Sequence, residues 1–316
     1  MKTITFLVLL FLASTAYADT TNLNKSRYHG VMVAPEPPIN DIQDIVNCGV
    51  NLLRYQIYTD WNNPLLYSEH TYLSWLSSHL NHIDSLVPVL RGRTKLLLDF
   101  HVAPGGHPDV NNRLPLFYTP WAYTAFLKGL KQTAERFKHY PEVLGYDVLN
   151  EPQGSSTEAL RLMKDAIATI RSVDTQKIIS VSSPYGSPSR FKHIPSDPRL
   201  WYTFHFYSPP SFTGQGINGV PTGKEYPSGS FNKEKLRAQL KTAYDFSRKH
   251  RVRMFVGEYA ASVFTSPNSR YRYLRDLTSL FQEHGFNYTM HAFREAPVWN
   301  LETSPKILPL VCKNPK

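Results

Sequence analysis

The sequence predicts an α/β protein with a single (β/α)8 barrel, or TIM barrel. Eight short apolar runs typical of strands alternate with amphipathic helical segments, the order of a parallel α/β fold. The 316 residues can accommodate a barrel of about 250 residues with long loops. Polar residues also close most of the apolar runs, where a barrel of this type carries its chemistry.

The chain opens with the pattern of a secretory signal peptide. Lys2 precedes an apolar run over residues 4–13, and Ala16-Tyr17-Ala18 forms an A-x-A cleavage site. The run is too short for a stable helix across a hydrocarbon core of about 30 Å, although an uncleaved anchor is the alternative. We expect removal of residues 1–18, no membrane insertion, and a secreted or periplasmic catalytic domain over residues 19–316.

Each element is predicted from its pattern, strands from short apolar runs and helices from a 3.6-residue period. The predicted strands cover residues 28–34, 50–58, 94–101, 143–151, 177–183, 201–207, 253–259 and 286–293. The predicted helices cover residues 41–48, 72–90, 121–138, 156–172, 232–250 and 268–284. Residues 184–200 look loop-like, which predicts a short or missing helix between strands five and six. Residues 208–230 are rich in Gly, Pro and Ser and predict a long loop.

The two cysteines and the net charge define the chemical setting. Cys48 and Cys312 could form a bridge in an oxidising compartment or remain as two buried thiols, and both alternatives stay open. The formal net charge is +10, or +9 without Lys2, but Lys and Arg are scattered along the chain. We therefore expect a solvated basic surface rather than a nucleic-acid site. No cofactor or metal site is predicted.

Polar residues that close six predicted strands are the candidate site. They are Arg54, Asp99 to His101, Asn150 with Glu151, His205 to Tyr207, Gly257 to Tyr259, and His291 followed by Arg294. In a barrel all six strand ends face one cavity.

Glu151 and Glu258 suit hydrolysis of a glycosidic bond. That reaction needs one carboxyl group that donates a proton to the leaving oxygen and one carboxylate that attacks carbon or activates water. A gap of about 5–5.5 Å between them gives retention of configuration, and about 6.5–9.5 Å gives inversion.

An ordered set of motifs resembles glycoside hydrolase family 5, the retaining cellulase-type barrels. The set comprises Arg54 in "NLLRYQI", His101 in "LLLDFH", Asn150-Glu151-Pro152 in "DVLNEP", His205 and Tyr207 in "HFY", and Glu258 in "VGEY". The resemblance covers nearly the whole mature chain.

The resemblance implies a role for each residue of the set. Glu151 would be the general acid/base and Glu258 the nucleophile. Asn150 would bind the sugar 2-hydroxyl. Tyr207 would donate to Glu258, and Arg54, His101 and His205 would donate to sugar hydroxyls and to the nucleophile.

The eighth strand departs from the family pattern, which places a Trp at its end. This chain has "NYTMHAFREAPVWNLE", where Tyr288 could replace that Trp or Trp299 could fold back. We also expect His291 to line the site and Trp61, after strand two, to stack on a sugar ring.

The expected function is retaining endo-hydrolysis of a β-1,4-glucan by a monomer, with a β-linked polysaccharide or oligosaccharide as substrate. Mannan, xyloglucan and glycosyl-lipid substrates fit the same motifs. Two other classes remain as alternatives: a carbohydrate-binding barrel without activity, and a metal-dependent hydrolase built on His101 and His107.

Overall fold

Eight parallel strands close into a barrel in which each strand is hydrogen-bonded to its neighbours in the sequence and the eighth pairs with the first. The computed structural model describes residues 28–90, 92–194 and 197–312, so the predicted signal peptide lies outside the described residues. The strands are β1 His29–Val33, β2 Leu52–Ile57, β3 Lys95–Phe100, β4 Val143–Asp147, β5 Ile178–Ser182, β6 Leu200–Phe206, β7 Arg253–Tyr259 and β8 Asn287–Phe293. The predicted barrel is confirmed.

Helices cover the barrel in most of the connections between strands. They are α1 Ile39–Cys48, α2 Glu69–Leu90, α3 Pro120–Phe137, α4 Ser156–Arg171, the short α5 Pro210–Thr213, α6 Lys233–His250 and α7 Pro267–His284. Short 3-10 turns span Pro64–Tyr67, Pro115–Phe117, Pro184–Gly186, Pro188–Arg190, Leu301–Thr303 and Leu308–Leu310. Between β5 and β6 the described residues contain two such turns and no α-helix, as the loop-like composition predicts.

One boundary that matters for the site was wrong in the prediction. β4 ends at Asp147, whereas the sequence predicted a strand through Glu151. Val148 and Leu149 are fully buried, which explains the strand-like pattern. The backbone N–H of Val148 donates to Ser180 O and that of Asn150 to Phe100 O, so these residues bridge neighbouring strand ends without extending the ladder.

Two layers fill the barrel interior. Towards the amino ends of the strands lies an apolar cluster of Leu52, Leu97, Trp201 and Phe255. Successive strand residues point to opposite faces, so the residue two positions further on faces inward as well. In the same four strands these residues are Arg54, Asp99, Thr203 and Gly257. A polar layer therefore lies directly above an apolar floor.

A β-bulge in β7 aims Glu258 into the barrel. The pairing of β6 with β7 runs from Thr203 opposite Phe255 to His205 opposite Glu258, so β7 carries one extra residue at Gly257. Strict alternation would turn Glu258 away from the interior, and the extra residue reverses that. A Cβ on Gly257 would lie 2.7 Å from Cγ2 of Thr203, so only glycine fits this approach.

The segment after β8 is fastened to the barrel by a disulfide. Cys48 at the end of α1 is bonded to Cys312, with the Cα atoms 5.2 Å apart. Of the two alternatives that the sequence left open, a disulfide or two buried thiols, the structure contains the disulfide. Among the residues that the structure describes, no helix is long and apolar enough to cross a membrane.

Candidate active site

Arg54 lies at the centre of the polar layer and joins four other strand-end residues. Its side chain is 0 % exposed. It donates Nε–H to Asp147 (2.9 Å) and hydrogens of its terminal nitrogens to Glu258 (2.7 Å) and Asn150 (2.9 Å). Asp99 also lies 3.0 Å from Nη2. Burial opposes the charge of the guanidinium, but these three carboxylates outweigh it and raise the pKa of Arg54.

Glu258 is held as a carboxylate by donors on both of its oxygens. Arg54 donates to Oε1 at 2.7 Å, and the Tyr207 hydroxyl donates to Oε2 at 2.8 Å. Burial alone would raise the pKa of Glu258, but the positive charges of His205, Arg54 and two further histidines lower it well below its usual value. An ionised and oriented carboxylate is suited to act as a nucleophile.

Glu151 lies beyond the end of β4, on a residue with left-handed backbone geometry (φ 39°). Its Oε1 is 2.7 Å from Nδ1 of His205. Gly186, in the turn after β5, passes so close that a Cβ there would lie 2.7 Å from the same oxygen. The side chain is 36 % exposed, so Glu151 is more open to the cleft than Glu258 at 9 %.

The two glutamates are close neighbours. Nδ1 of His205 lies 2.7 Å from Oε1 of Glu151 and 3.6 Å from Oε2 of Glu258, so these oxygens can be no further apart than the sum, 6.3 Å. Burial lowers the pKa of His205, but the charges of Glu258 and Glu151 outweigh it and raise that pKa above its usual value.

Asn150 and His101 form one side of the site. Nδ1 of His101 is 2.7 Å from Oδ2 of Asp99, and Nε2 of His101 is 3.3 Å from Nδ2 of Asn150. Burial opposes the charged ring, yet the Asp99 carboxylate outweighs it and raises the pKa of His101. Oδ1 of Asn150 accepts from Arg54, so the orientation of the Asn150 amide is fixed from two directions.

Tyr207, His291 and Trp299 form the opposite side. The Tyr207 hydroxyl lies 2.7 Å from Nδ1 of His291. The Trp299 ring centroid lies 5.6 Å from that of Tyr207 and 6.0 Å from that of His291. Burial and the charge of Glu258 raise the pKa of Tyr207 well above its usual value, so Tyr207 keeps its proton as a donor.

Trp61 is placed apart from this group, at the rim. Its ring stacks on His107 with centroids 5.9 Å apart, which joins the loops after β2 and β3. Its carbonyl accepts from the Tyr67 hydroxyl at 3.3 Å. The structure thus brings Arg54, His101, Asn150, His205, Tyr207, His291 and Trp299 together around the two glutamates, and leaves Trp61 at the edge.

One of two open alternatives is excluded, and one sequence expectation was wrong. Tyr288 is fully buried, accepts a hydrogen bond from Gln282 of α7 and packs against Phe281, so it cannot replace the Trp of the eighth strand. Arg294 does not face the cavity, because it pairs with Asp41, Asp44 and Glu302 on the outside.

Three residues near the site, Asp147, Gly186 and Glu295, were not chosen from the sequence, and Asp99 was a strand-end candidate without an assigned role. Asp99 and Asp147 face inward and pair with Arg54, and inward alternation on β4 could have identified Asp147. Gly186 and Glu295 gave no local signal, because the fold alone brings them to the site.

His101 and His107 do not converge on a common point. His101 contacts Asp99 and Asn150, while His107 stacks on Trp61. Within the described residues, no group of three or more His, Cys, Asp or Glu side chains is arranged to hold a metal ion.

A (β/α)8 barrel with two neighbouring glutamates at the carboxyl ends of its strands has the architecture of a glycoside hydrolase. The family comparison agrees, since the Cellulase (glycosyl hydrolase family 5) family matches residues 15–296. The chain belongs to glycosyl hydrolase family 5.

The chain is similar in sequence to named relatives and in fold to solved structures. Endoglucanase C of Acetivibrio thermocellus is 25 % identical over 278 residues, which cover 77 % of this chain and 80 % of that protein. Cellodextrinase A of Ruminococcus flavefaciens is 23 % identical over 260 residues, covering 78 % and 76 %. The structure of endoglucanase Cel5A from Thermotoga maritima superposes with a TM-score of 0.74 at 17 % identity, over 93 % of this chain and 98 % of that one.

Proposed function

We propose that this glycoside hydrolase cleaves β-glycosidic bonds in a polysaccharide with retention of configuration, and that it acts as an endo-β-1,4-glucanase. One observation carries the proposal of retention. The carboxylate oxygens of Glu151 and Glu258 that face His205 are at most 6.3 Å apart. So close an approach of one oxygen pair favours the carboxyl spacing of about 5–5.5 Å in retaining enzymes over the spacing of about 6.5–9.5 Å that leaves room for a water in inverting ones.

In the first step an oxygen of Glu258 attacks the anomeric carbon of the sugar. The bond from that carbon to the glycosidic oxygen breaks, and Glu151 gives its proton to the departing oxygen. The glycan on the leaving side diffuses away, and a covalent glycosyl-enzyme remains on Glu258.

In the second step a water attacks the same carbon. Glu151, which has lost its proton, takes one from the water, and the bond between carbon and Glu258 breaks. Two inversions at one carbon give net retention.

The buried charges around Glu258 support its proposed role. Arg54 and Tyr207 donate to its two oxygens and are themselves fixed by Asp147, Asn150 and His291. Such a preorganised arrangement needs no reorientation when charge leaves Glu258 in the transition state. Asn150 is proposed to bind the sugar 2-hydroxyl, and Trp299 and Trp61 are proposed to stack on sugar rings.

The names of the relatives favour a β-1,4-glucan. Two of the relatives described above are an endoglucanase and a cellodextrinase. Structures of Thermotoga maritima Cel5A include complexes with cellobiose and with mannotriose, so mannan is the second substrate to test.

Product analysis tests the proposal. The protein is incubated with carboxymethyl cellulose, mannan, xyloglucan and lichenan, and new reducing ends are followed together with viscosity. We expect the viscosity of carboxymethyl cellulose to fall early, and anomeric proton NMR to show the β-anomer as the first product. An α-anomer formed first would overturn retention. Hydrolysis of mannan alone would replace the substrate, and no hydrolysis of any aryl β-glycoside would favour a binding protein.

We also propose that the enzyme is exported and monomeric. The signal-peptide pattern of residues 1–18 and the Cys48–Cys312 bond support an oxidising compartment. Expression of the full chain with fractionation of cells and medium tests export, and light scattering of the purified protein tests the monomer.

A further inference from the structure

A third carboxylate borders the proposed catalytic pair and has no role in the steps above. Oε2 of Glu295 lies 3.6 Å from Nε2 of His291, and the Glu295 side chain is 15 % exposed. That oxygen is shielded from solvent and has no hydrogen-bond partner within the described part of the chain. Burying a carboxylate is costly unless it is paired, so the position of Glu295 beside His291 calls for a reason.

The turn that carries Glu295 is anchored from outside. Arg294, one residue earlier, has left-handed backbone geometry (φ 54°) and points away from the barrel. Its guanidinium donates to Asp41 (2.6 Å), Asp44 (2.9 Å) and Glu302 (2.8 Å). With Arg294 held outside, the chain turns the next side chain inward. The inward position of Glu295 is therefore built into the fold.

The number of hydrogens that Tyr207 and His291 can donate explains the position of Glu295. Tyr207 has one hydroxyl hydrogen and two neighbours, Glu258 at 2.8 Å and Nδ1 of His291 at 2.7 Å. An ionised Glu258 can only accept, so Tyr207 donates to it. Nδ1 of His291 must then carry a hydrogen and donate to the Tyr207 oxygen.

The other nitrogen of His291 faces the third carboxylate. If Nε2 carried no hydrogen, its lone pair would face the negative charge of Glu295. A hydrogen on Nε2 turns that repulsion into an attraction. Both ring nitrogens then carry hydrogen, and His291 cannot take the Tyr207 hydrogen away from Glu258.

We propose that Glu295 is a positioning residue that keeps hydrogen on Nε2 of His291 and so directs the Tyr207 hydroxyl onto Glu258. This inference rests on the proposed function, since it assigns Glu295 to the support of the nucleophile. The contacts run from Glu295 to His291, from His291 to Tyr207, and from Tyr207 to Glu258.

The other charged groups around His291 are consistent with this order. Glu258 on β7 interacts with His291, and the Trp299 ring lies 6.0 Å from the His291 ring without charge, while His101, after β3, acts on Glu295. Burial alone would raise the pKa of Glu295, but His291, Gln56 and His101 lower it, so Glu295 is ionised at neutral pH. The positive charge of His291 in turn contributes to the lowered pKa of Glu258.

A His291→Gln background separates this role from that of a bystander charge. Removing a nearby negative charge would change the pKa of Glu258 whether or not His291 is present. A positioning role acts only through His291, and its loss matters above about pH 6.5, where a histidine without a carboxylate partner is neutral. We therefore expect Glu295→Gln to lower kcat/KM about tenfold above that pH, and to cause no such loss in the His291→Gln background.

The experiment measures kcat/KM against pH on the aryl β-glycoside that the wild type hydrolyses best. Absence of wild-type hydrolysis would count against the proposed function, whereas the variants test Glu295. Glu234→Gln changes the net charge equally on the outer face of α6, where the Glu234 side chain is 76 % exposed. It should leave the profile unchanged. Glu295→Asp should restore part of the lost kcat/KM, and its melting temperature separates misfolding from a positioning effect.

A double variant with His291→Gln and an NMR measurement of the histidine nitrogens complete the test. In a His291→Gln background, Glu295→Gln should produce no further loss, because the group it acts through is absent. Above about pH 6.5, nitrogen-15 NMR of labelled histidine should show hydrogen on both His291 nitrogens in the wild type and on one in Glu295→Gln. An unchanged kcat/KM above that pH, hydrogen on both nitrogens in the variant, or full additivity with His291→Gln would overturn the proposal.

Discussion

A Cβ atom on Gly186 would lie 2.7 Å from Oε1 of Glu151 and 3.1 Å from Cβ of His205. The backbone of the turn after β5 therefore lies directly against Glu151, the proposed acid/base, and against His205, its hydrogen-bond partner. Gly186→Ala should push one of the two side chains aside and lower kcat/KM by about 100-fold, since displacements of about 1 Å have such effects.

A matched control exists for the backbone strain of that substitution. Gly92 has a similar φ of 68°, compared with 65° at Gly186, but a Cβ there meets nothing within 4 Å. Gly92→Ala should lower the melting temperature to a similar degree and leave kcat/KM unchanged. Equal loss of activity in both variants would show that strain, not displacement of Glu151, is the cause.

Removal of the proposed nucleophile should abolish turnover and allow chemical rescue. Glu258→Gly should lower kcat by at least about four orders of magnitude. Azide fits the space that the carboxylate leaves and should attack the anomeric carbon directly. NMR of the product should then show an α-glycosyl azide from a β-glycoside. Turnover near the wild-type rate would show that Glu258 is not the nucleophile.

Removal of the proposed acid/base should affect substrates according to their leaving groups. Glu151→Ala should keep a fast first step on dinitrophenyl glycosides, which leave without a proton, and should lose hydrolysis of glycans. Stopped-flow measurements should show a burst followed by slow release, and azide should speed that release as a β-glycosyl azide. Similar losses on both substrate types would contradict the role.

Histidines in the site should make stability depend on pH. The pKa values of His205 and His101 are raised in the folded state, chiefly by the charges of Glu258 and Asp99 acting against burial. The folded protein then keeps protons that the unfolded chain loses above about pH 6.5. Their stabilising contribution is therefore complete below that pH and disappears as the pH rises through the folded pKa values.

Calorimetry in matched buffers between pH 6 and 9 measures this loss. The melting temperature should fall with rising pH, and His101→Gln should make the fall shallower. A melting temperature that rises over this range would contradict the direction of both shifts.

Loss of the disulfide should destabilise the protein without changing its chemistry. The Cys48–Cys312 bond closes a sequence separation of 264 residues, and its removal should cost about 2–5 kcal/mol. Cys48→Ser with Cys312→Ser should lower the denaturant midpoint while retaining hydrolysis of small aryl glycosides at low temperature. An unchanged midpoint would show that packing alone holds the segment.

The barrel and most of the site could be predicted because they depend on local patterns. Apolar runs with polar ends identified the strands, and Glu151 and Glu258 lie at the ends of the fourth and seventh runs. Asp147 was missed because the apolar Val148 and Leu149 extend the strand pattern past it. The strand actually ends at Asp147, which makes that residue part of the polar layer.

The other differences come from contacts between distant segments. Tyr288 and Trp299 were equal candidates from the sequence, since neither pattern shows which face of the last strand meets α7. Gly186 contacts the proposed acid/base, and Glu295 points inward because the preceding arginine pairs with carboxylates of α1. Both contacts join segments that are far apart in the sequence, and local sequence patterns cannot predict them. The inward turn of Glu258 depends on one extra residue in β7, and only the pairing register reveals it.

Arg54 on β2 contacts residues from β3, the β4 end and β7 through a single guanidinium. A substitution at any one of these partners would leave a buried charge unbalanced, so each is constrained by all the others. Evolutionary change of substrate is therefore expected outside this group, in the long loop after β6 and the segment after β8. Homologues that diverge in specificity should differ there first, while the arginine and its carboxylates change only together.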